Sequence, residues 1–107
     1  MNLLFVCSRN EWRSKTAETI FKNNGLHQVK SAGTSKKARI KLNQQMIDWA
    51  DLVFLMEHKH KNIMRQNFIV DKMKEEIIVL DIPDNYQYMD EELIGMLKVS
   101  VNQYLNE

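Results

Sequence analysis

An α/β fold, a four-stranded parallel sheet with helices on both faces, is what this sequence predicts, on three observations. Short apolar runs of strand length alternate along the chain with longer stretches patterned at helical spacing, in the order βαβαβαβα. The first run, residues 2–6, is continuously apolar, as in a strand covered on both faces. No stretch is repetitive or rich in Gly, Pro or Ser, so nothing in the 107 residues marks a linker and a single domain, 1–107, is expected.

The elements follow in order. After the first strand, Ser14 to about Asn24 reads as a helix, with Ala17, Ile20 and Phe21 at helical spacing and Gly25 placed to cap its end. Val29 and its neighbours form a short second strand that ends at Ser31-Ala32-Gly33-Thr34. Leu42 to Ala50 reads as a second helix burying Leu42, Met46 and Ala50. Leu52 to Met56 is a third apolar strand, followed by a polar helix from His58 to Gln66. Ile77 to Leu80 is the fourth strand. Pro83 then breaks the chain, and Asp90 opens a last helix with Leu93, Leu97, Val101 and Tyr104 on one face.

The bulk properties exclude several classes. One cysteine cannot build an internal disulfide framework and fits a reducing compartment. The first apolar run stops at Cys7, with Arg9 close behind, so no signal peptide is expected, and no run approaches the roughly 20 apolar residues of a membrane span. A net charge of +1 gives no general pull toward nucleic acid or membrane. The expectation is a cytoplasmic protein with neither as a partner. His58 and His60 stand two apart on a helix and point to different faces, so neither a metal site nor a cofactor is expected. Lys36, Lys37, Arg39 and Lys41 read as a solvated basic face.

The chemistry concentrates at Cys7-Ser8-Arg9-Asn10-Glu11-Trp12-Arg13-Ser14, between the first strand and the first helix. A strand, a short loop and a helix N-terminus make a pocket of backbone N–H groups suited to a tetrahedral oxyanion. Cys7 would end the strand inside that pocket, at a helix N-terminus and near a cation, the setting in which thiolates form. Arg13, planar and always charged, fits two oxygens of a phosphoryl group, and the Ser14 hydroxyl can donate to the sulfur. In parallel α/β sheets ligands bind beyond the carboxyl ends of strands, and Asp81 and Asp84 follow the fourth strand as Cys7 follows the first.

At these residues the sequence resembles the low-molecular-weight protein tyrosine phosphatase family, as a short bacterial-type member. Cys7, Asn10, Arg13 and Ser14 match the family pattern Cys-x-x-Asn-x-x-Arg-Ser, and Ala17-Glu18, Ser31 to Thr34 and Asp51 to Glu57 continue the likeness. The resemblance implies a phosphate loop spanning Ser8, Arg9, Asn10, Glu11, Trp12, Arg13 and Ser14. In it Cys7 is the nucleophile, Arg13 grips the phosphoryl group, Asn10 shapes the loop and Ser14 supports the thiolate. It also implies an aspartate general acid after the fourth strand. Matching Tyr86 to the family's aromatic residue makes that acid Asp84, with Asn85 in place of proline, and Asp81 is the alternative. Trp12, Tyr86 or Tyr88 could wall the substrate. The departures are Arg9 where a small residue is usual, Trp12 where many members carry a second cysteine, and Glu11, a negative charge beside the phosphate.

The expected activity is phosphomonoester hydrolysis, on phosphorylated protein or a small aryl phosphate, with phosphotyrosine first. An arsenate reductase using an external thiol is one alternative. A phosphate- or phosphopeptide-binding module with weak catalysis is the other, with Glu11 and Asn85 in its favour.

Overall fold

The computed structural model describes residues 1–23, 25–70 and 76–105. Among these residues eight elements alternate: β1 (Asn2–Cys7), α1 (Arg13–Lys22), β2 (Gln28–Gly33), α2 (Gln44–Trp49), β3 (Leu52–Leu55), α3 (His58–Asn67), β4 (Glu76–Val79) and α4 (Glu91–Leu105). All three strand pairings are parallel, in the order β2-β1-β3-β4. β1 is central, which is why its residues 3–7 are buried on both faces.

The period-2 alternation of β1 sorts its side chains into two cores. Leu3, Phe5 and Cys7 face α1 and α4, meeting Ala17, Phe21, Leu93, Leu97 and Val101. Leu4 and Val6 face α2 and α3, meeting Ile47 and Met64. Phe5 anchors the first core, its ring stacked at 5.5 Å on Phe21 and 5.0 Å on Phe54. Each such buried ring contributes about 1.5–3 kcal/mol from apolar burial.

Helix boundaries follow local chemistry. Gly25, at φ +72°, turns the chain after α1, its N–H donating to the Lys22 carbonyl at 3.3 Å. α1 ends at Lys22, and Asn24, its expected end, lies outside the described residues. The Asn43 side chain caps α2 by accepting from Met46 N–H at 2.9 Å, so this helix starts two residues later than Leu42. Its buried residue is therefore Ile47. Leu42 and Ala50 are buried just outside the helix and Met46 only partly so. Asp90 caps α4, accepting from Glu92 N–H at 2.9 Å. The apolar face of α4 ends in Leu105, not Tyr104, which is half exposed with its ring edge-on to Phe54 at 6.0 Å. No helix among the described residues is long and apolar enough to cross a membrane.

Candidate active site

At the carboxyl edge of the sheet, a cavity of about 140 Å³ is lined by Cys7, Ser8, Arg9, Glu11, Trp12, Arg13 and Asp84. Asn10 and Ser14, the remaining loop residues, are fully buried beneath it. Asp81 is not among the lining residues. Its left-handed backbone, at φ +60°, leaves it exposed, on a separate groove between the end of β4 and α4. Ile82 next to it is buried, and the chain turns so that Asp84 reaches the cavity.

The loop is shaped from behind. Thr34 N–H donates to the Cys7 carbonyl at 3.0 Å and Ser35 N–H to the Ser8 carbonyl at 2.9 Å. Arg39 contributes two more bonds, from its N–H to the Arg9 carbonyl at 2.9 Å and from Nε to the Asn10 carbonyl at 3.0 Å. Within a planar trans peptide the N–H points opposite to the C=O. Drawing the carbonyls of Ser8, Arg9 and Asn10 outward therefore turns the N–H groups of Arg9, Asn10 and Glu11 inward. Asn10 N–H accordingly donates to Cys7 Sγ at 3.3 Å. Arg39, expected on a solvated basic face, is instead a brace for this loop.

Asn10 sits in the left-handed region at φ +57°, which its residue type tolerates better than most. Its Nδ2 donates to Ser14 Oγ at 2.7 Å, and Ser14 Oγ lies 2.9 Å from Cys7 Sγ. With the Ser14 oxygen accepting from Asn10, its own proton is shared between Cys7 Sγ at 2.9 Å and the Ala32 carbonyl at 3.4 Å. Cys7 Sγ thus has two hydrogen-bond partners, the Asn10 N–H and the Ser14 hydroxyl. At the start of α1 the N-cap residue, Trp12, makes no side-chain cap bond and the first turn holds no acid. The positive end of this helix remains available to an anion.

Arg13 is only 2% exposed, so its charge needs partners. Its Nη1 donates to Glu57 Oε1 at 2.6 Å and to the Ile82 carbonyl at 2.9 Å. Nε stands 3.6 Å from Asp84 Oδ1, an ion pair beyond hydrogen-bond length. Both tethers use Nη1, which leaves the Nε–Nη2 edge as the fork for two oxygens of a ligand. Burial works to raise the Glu57 pKa, but the hydrogen bond and charge of Arg13, helped by Lys59, outweigh it and hold the carboxyl below its usual range.

Glu57, the last residue of the Asp51 to Glu57 likeness, and His60, read only as half of an unlikely metal pair, were not expected at the site. They form a reciprocal capping box at the start of α3. His60 is fully buried, and its Nε2 lies 2.9 Å from Ser8 Oγ. Burial first, then the nearby Arg13 charge, outweigh the attraction of Glu57 and push the imidazole down to about 4. His58, by contrast, is exposed. Among the aromatic residues expected as walls, Trp12 lines the cavity. Tyr86 packs against the first core, and Tyr88 hydrogen-bonds the Thr19 hydroxyl at 2.9 Å beneath the Lys15 ammonium. The arrangement can hold a tetrahedral oxyanion against a sulfur nucleophile, with a carboxyl group across from it.

Residues 2–48 match the model of the low molecular weight phosphotyrosine protein phosphatase family. No curated protein sequence matches the chain. Solved structures do. The low molecular weight protein tyrosine phosphatase from T. tengcongensis superposes with a TM-score of 0.76 at 23% identity, over 99% of this chain and 98% of that one. The tyrosine phosphatase Wzb from Escherichia coli K30, in complex with phosphate, gives 0.75 at 18% identity over 98% and 96%. The YwlE arginine phosphatase from Geobacillus stearothermophilus gives 0.73 at 23% identity over 98% and 92%. At these identities the likeness establishes the fold.

Proposed function

We propose that this chain, with the fold of the low-molecular-weight tyrosine phosphatases and a match to that family's model over residues 2–48, is one phosphatase-like domain over residues 1–107. It works as a cysteine-dependent phosphomonoester hydrolase with phosphotyrosine as its first substrate. The observation that carries the reading is Cys7 Sγ at the end of β1, hydrogen-bonded by Asn10 N–H and Ser14 Oγ, in one cavity with Arg13 and Asp84. The Cys7 thiolate attacks phosphorus and the P–O bond to the leaving group breaks. Asp84 gives that oxygen its proton, and Arg13 with the loop N–H groups takes the charge of the equatorial oxygens. Water then attacks the phosphocysteine, losing a proton to Asp84 and returning the thiolate.

A second reading concerns the group that carries the phosphate. Glu11 lines the cavity and has no ion-pair partner among the described residues, and Asp84 stands across from it. An acidic side chain at Glu11 opposes a phosphate on an uncharged phenol but favours a cationic carrier such as phosphoarginine, and one structural neighbour is an arginine phosphatase. One assay decides the class and the carrier. Purified protein is offered an aryl phosphate, a phosphoserine peptide and phosphoarginine, in native and Cys7→Ser forms. Turnover by the native protein alone, with inorganic phosphate still bound by Cys7→Ser, is the expected result. Turnover surviving in Cys7→Ser would remove the nucleophile and the mechanism with it.

A further inference from the structure

The first turn of α3 does more than hold Arg13. Glu57 backbone N–H donates to His60 Nδ1 at 3.1 Å, so that nitrogen carries no proton. In a neutral imidazole the proton is then on Nε2, and the 2.9 Å contact runs from Nε2–H to Ser8 Oγ. Nε2 is the hydrogen-bond partner of the Ser8 hydroxyl among the described residues, and it occupies an oxygen lone pair. The hydroxyl's own proton is therefore left over, on a residue that lines the cavity. A hydroxyl already accepting one hydrogen bond is also a stronger donor.

We infer that His60 is a positioning residue for the phosphate site: by donating to Ser8 Oγ it fixes the Ser8 hydroxyl as a donor to a bound phosphoryl oxygen. This rests on the proposed function for its meaning in catalysis, but its geometry concerns anion binding alone. Neutrality of the ring, which burial and the Arg13 charge enforce, keeps Nδ1 free to accept and the direction of the relay fixed. The same ring thus serves as helix cap on one side and as loop orienter on the other.

Two substitutions separate those duties. His60→Asn can keep the acceptor for Glu57 N–H but is too short to reach Ser8, whereas His60→Gln can place an amide N–H where Nε2 stands. The probe is inorganic phosphate, titrated calorimetrically into the native protein, Ser8→Ala, His60→Asn, His60→Gln and the double variant Ser8→Ala/His60→Asn. His60→Asn is expected to weaken phosphate about tenfold or more, the scale of one hydrogen bond to an anion. It should add nothing in the Ser8→Ala background, and His60→Gln should recover most of the loss. In ¹⁵N NMR of the native protein, His60 should show a bare Nδ1 and a protonated Nε2. Native-like phosphate binding by His60→Asn, losses that add to those of Ser8→Ala, or a protonated Nδ1 would each overturn the inference. Should His60→Asn not fold, the NMR tautomer and the Ser8→Ala titration decide. A native protein that binds phosphate with this pattern yet turns over no phosphate ester would sink the proposed function and leave this inference standing.

Discussion

Acid should destabilise this protein through His60 before it reaches the carboxylates. In the unfolded chain the imidazole titrates near 6.5, and in the fold it is held at about 4 by burial and Arg13. Between those values the unfolded state binds a proton that the folded state refuses. Stability therefore falls as pH drops from 6.5 toward 4, with a slope of up to about 1.4 kcal/mol per pH unit. The complete difference is on the order of 3 kcal/mol, a large part of the about 5–15 kcal/mol that holds a typical domain. Glu57, whose pKa is lowered in the fold, loses its own contribution only below its model value of 4.5, so the two windows stack rather than coincide. Urea unfolding of the native protein and His60→Asn, at steps from pH 7 to 4.5, measures the effect. The variant retains the helix cap and has no group titrating at that position, so its stability should decline about 2 kcal/mol less over that range. Parallel curves would refute the reasoning.

Two further substitutions test the site. Asp84→Asn should lower kcat roughly 10²–10⁴-fold for a phenolate leaving group and far less for one already stable as an anion, while Asp81→Asn stays near native. Leaving-group dependence in Asp81→Asn alone would reverse the assignment. Gly33→Ala should both destabilise the protein by about 1–3 kcal/mol and weaken phosphate binding, because the new Cβ would lie 2.4 Å from the Ser8 carbonyl oxygen and 2.7 Å from Ala38 Cβ. Native values for the urea midpoint and phosphate affinity together would show that the loop can retreat without cost.

What the sequence disclosed depended on the range of the interaction. β1 was legible because a strand buried on both faces has to be apolar at every position, and α1 because Gly25 marks its end. The cavity-lining loop was legible because its parts are contiguous from Cys7 to Ser14. The supports were not, since they come from far along the chain. Arg39 looks like any surface cation until the turn after Gly33 brings it behind the loop. His60 looks like half of an unlikely metal pair until the start of α3 comes beside the loop after β1, where one ring nitrogen meets Ser8 and the other closes the cap. Which of Asp84 and Asp81 lines the cavity depends on one left-handed residue, Asp81, a backbone fact that spacing does not encode. On α2, Asn43 shifted the helix start and with it the buried face, from Met46 to Ile47.

The tethering of Arg13 has a consequence for what happens after the reaction. Its guanidinium is held through Nη1 by Glu57 and the Ile82 carbonyl before any ligand arrives. The loss of side-chain freedom, up to about 2 kcal/mol for an arginine, is incurred during folding and not on binding. Under the proposed function, such a receptor would hold a phosphate ester and the free anion it leaves behind through the same contacts, because the fork and the loop N–H groups would address only the oxygens on phosphorus. If the chain works as proposed, the site would retain its own product, and the concentration of inorganic phosphate around the protein would throttle its turnover.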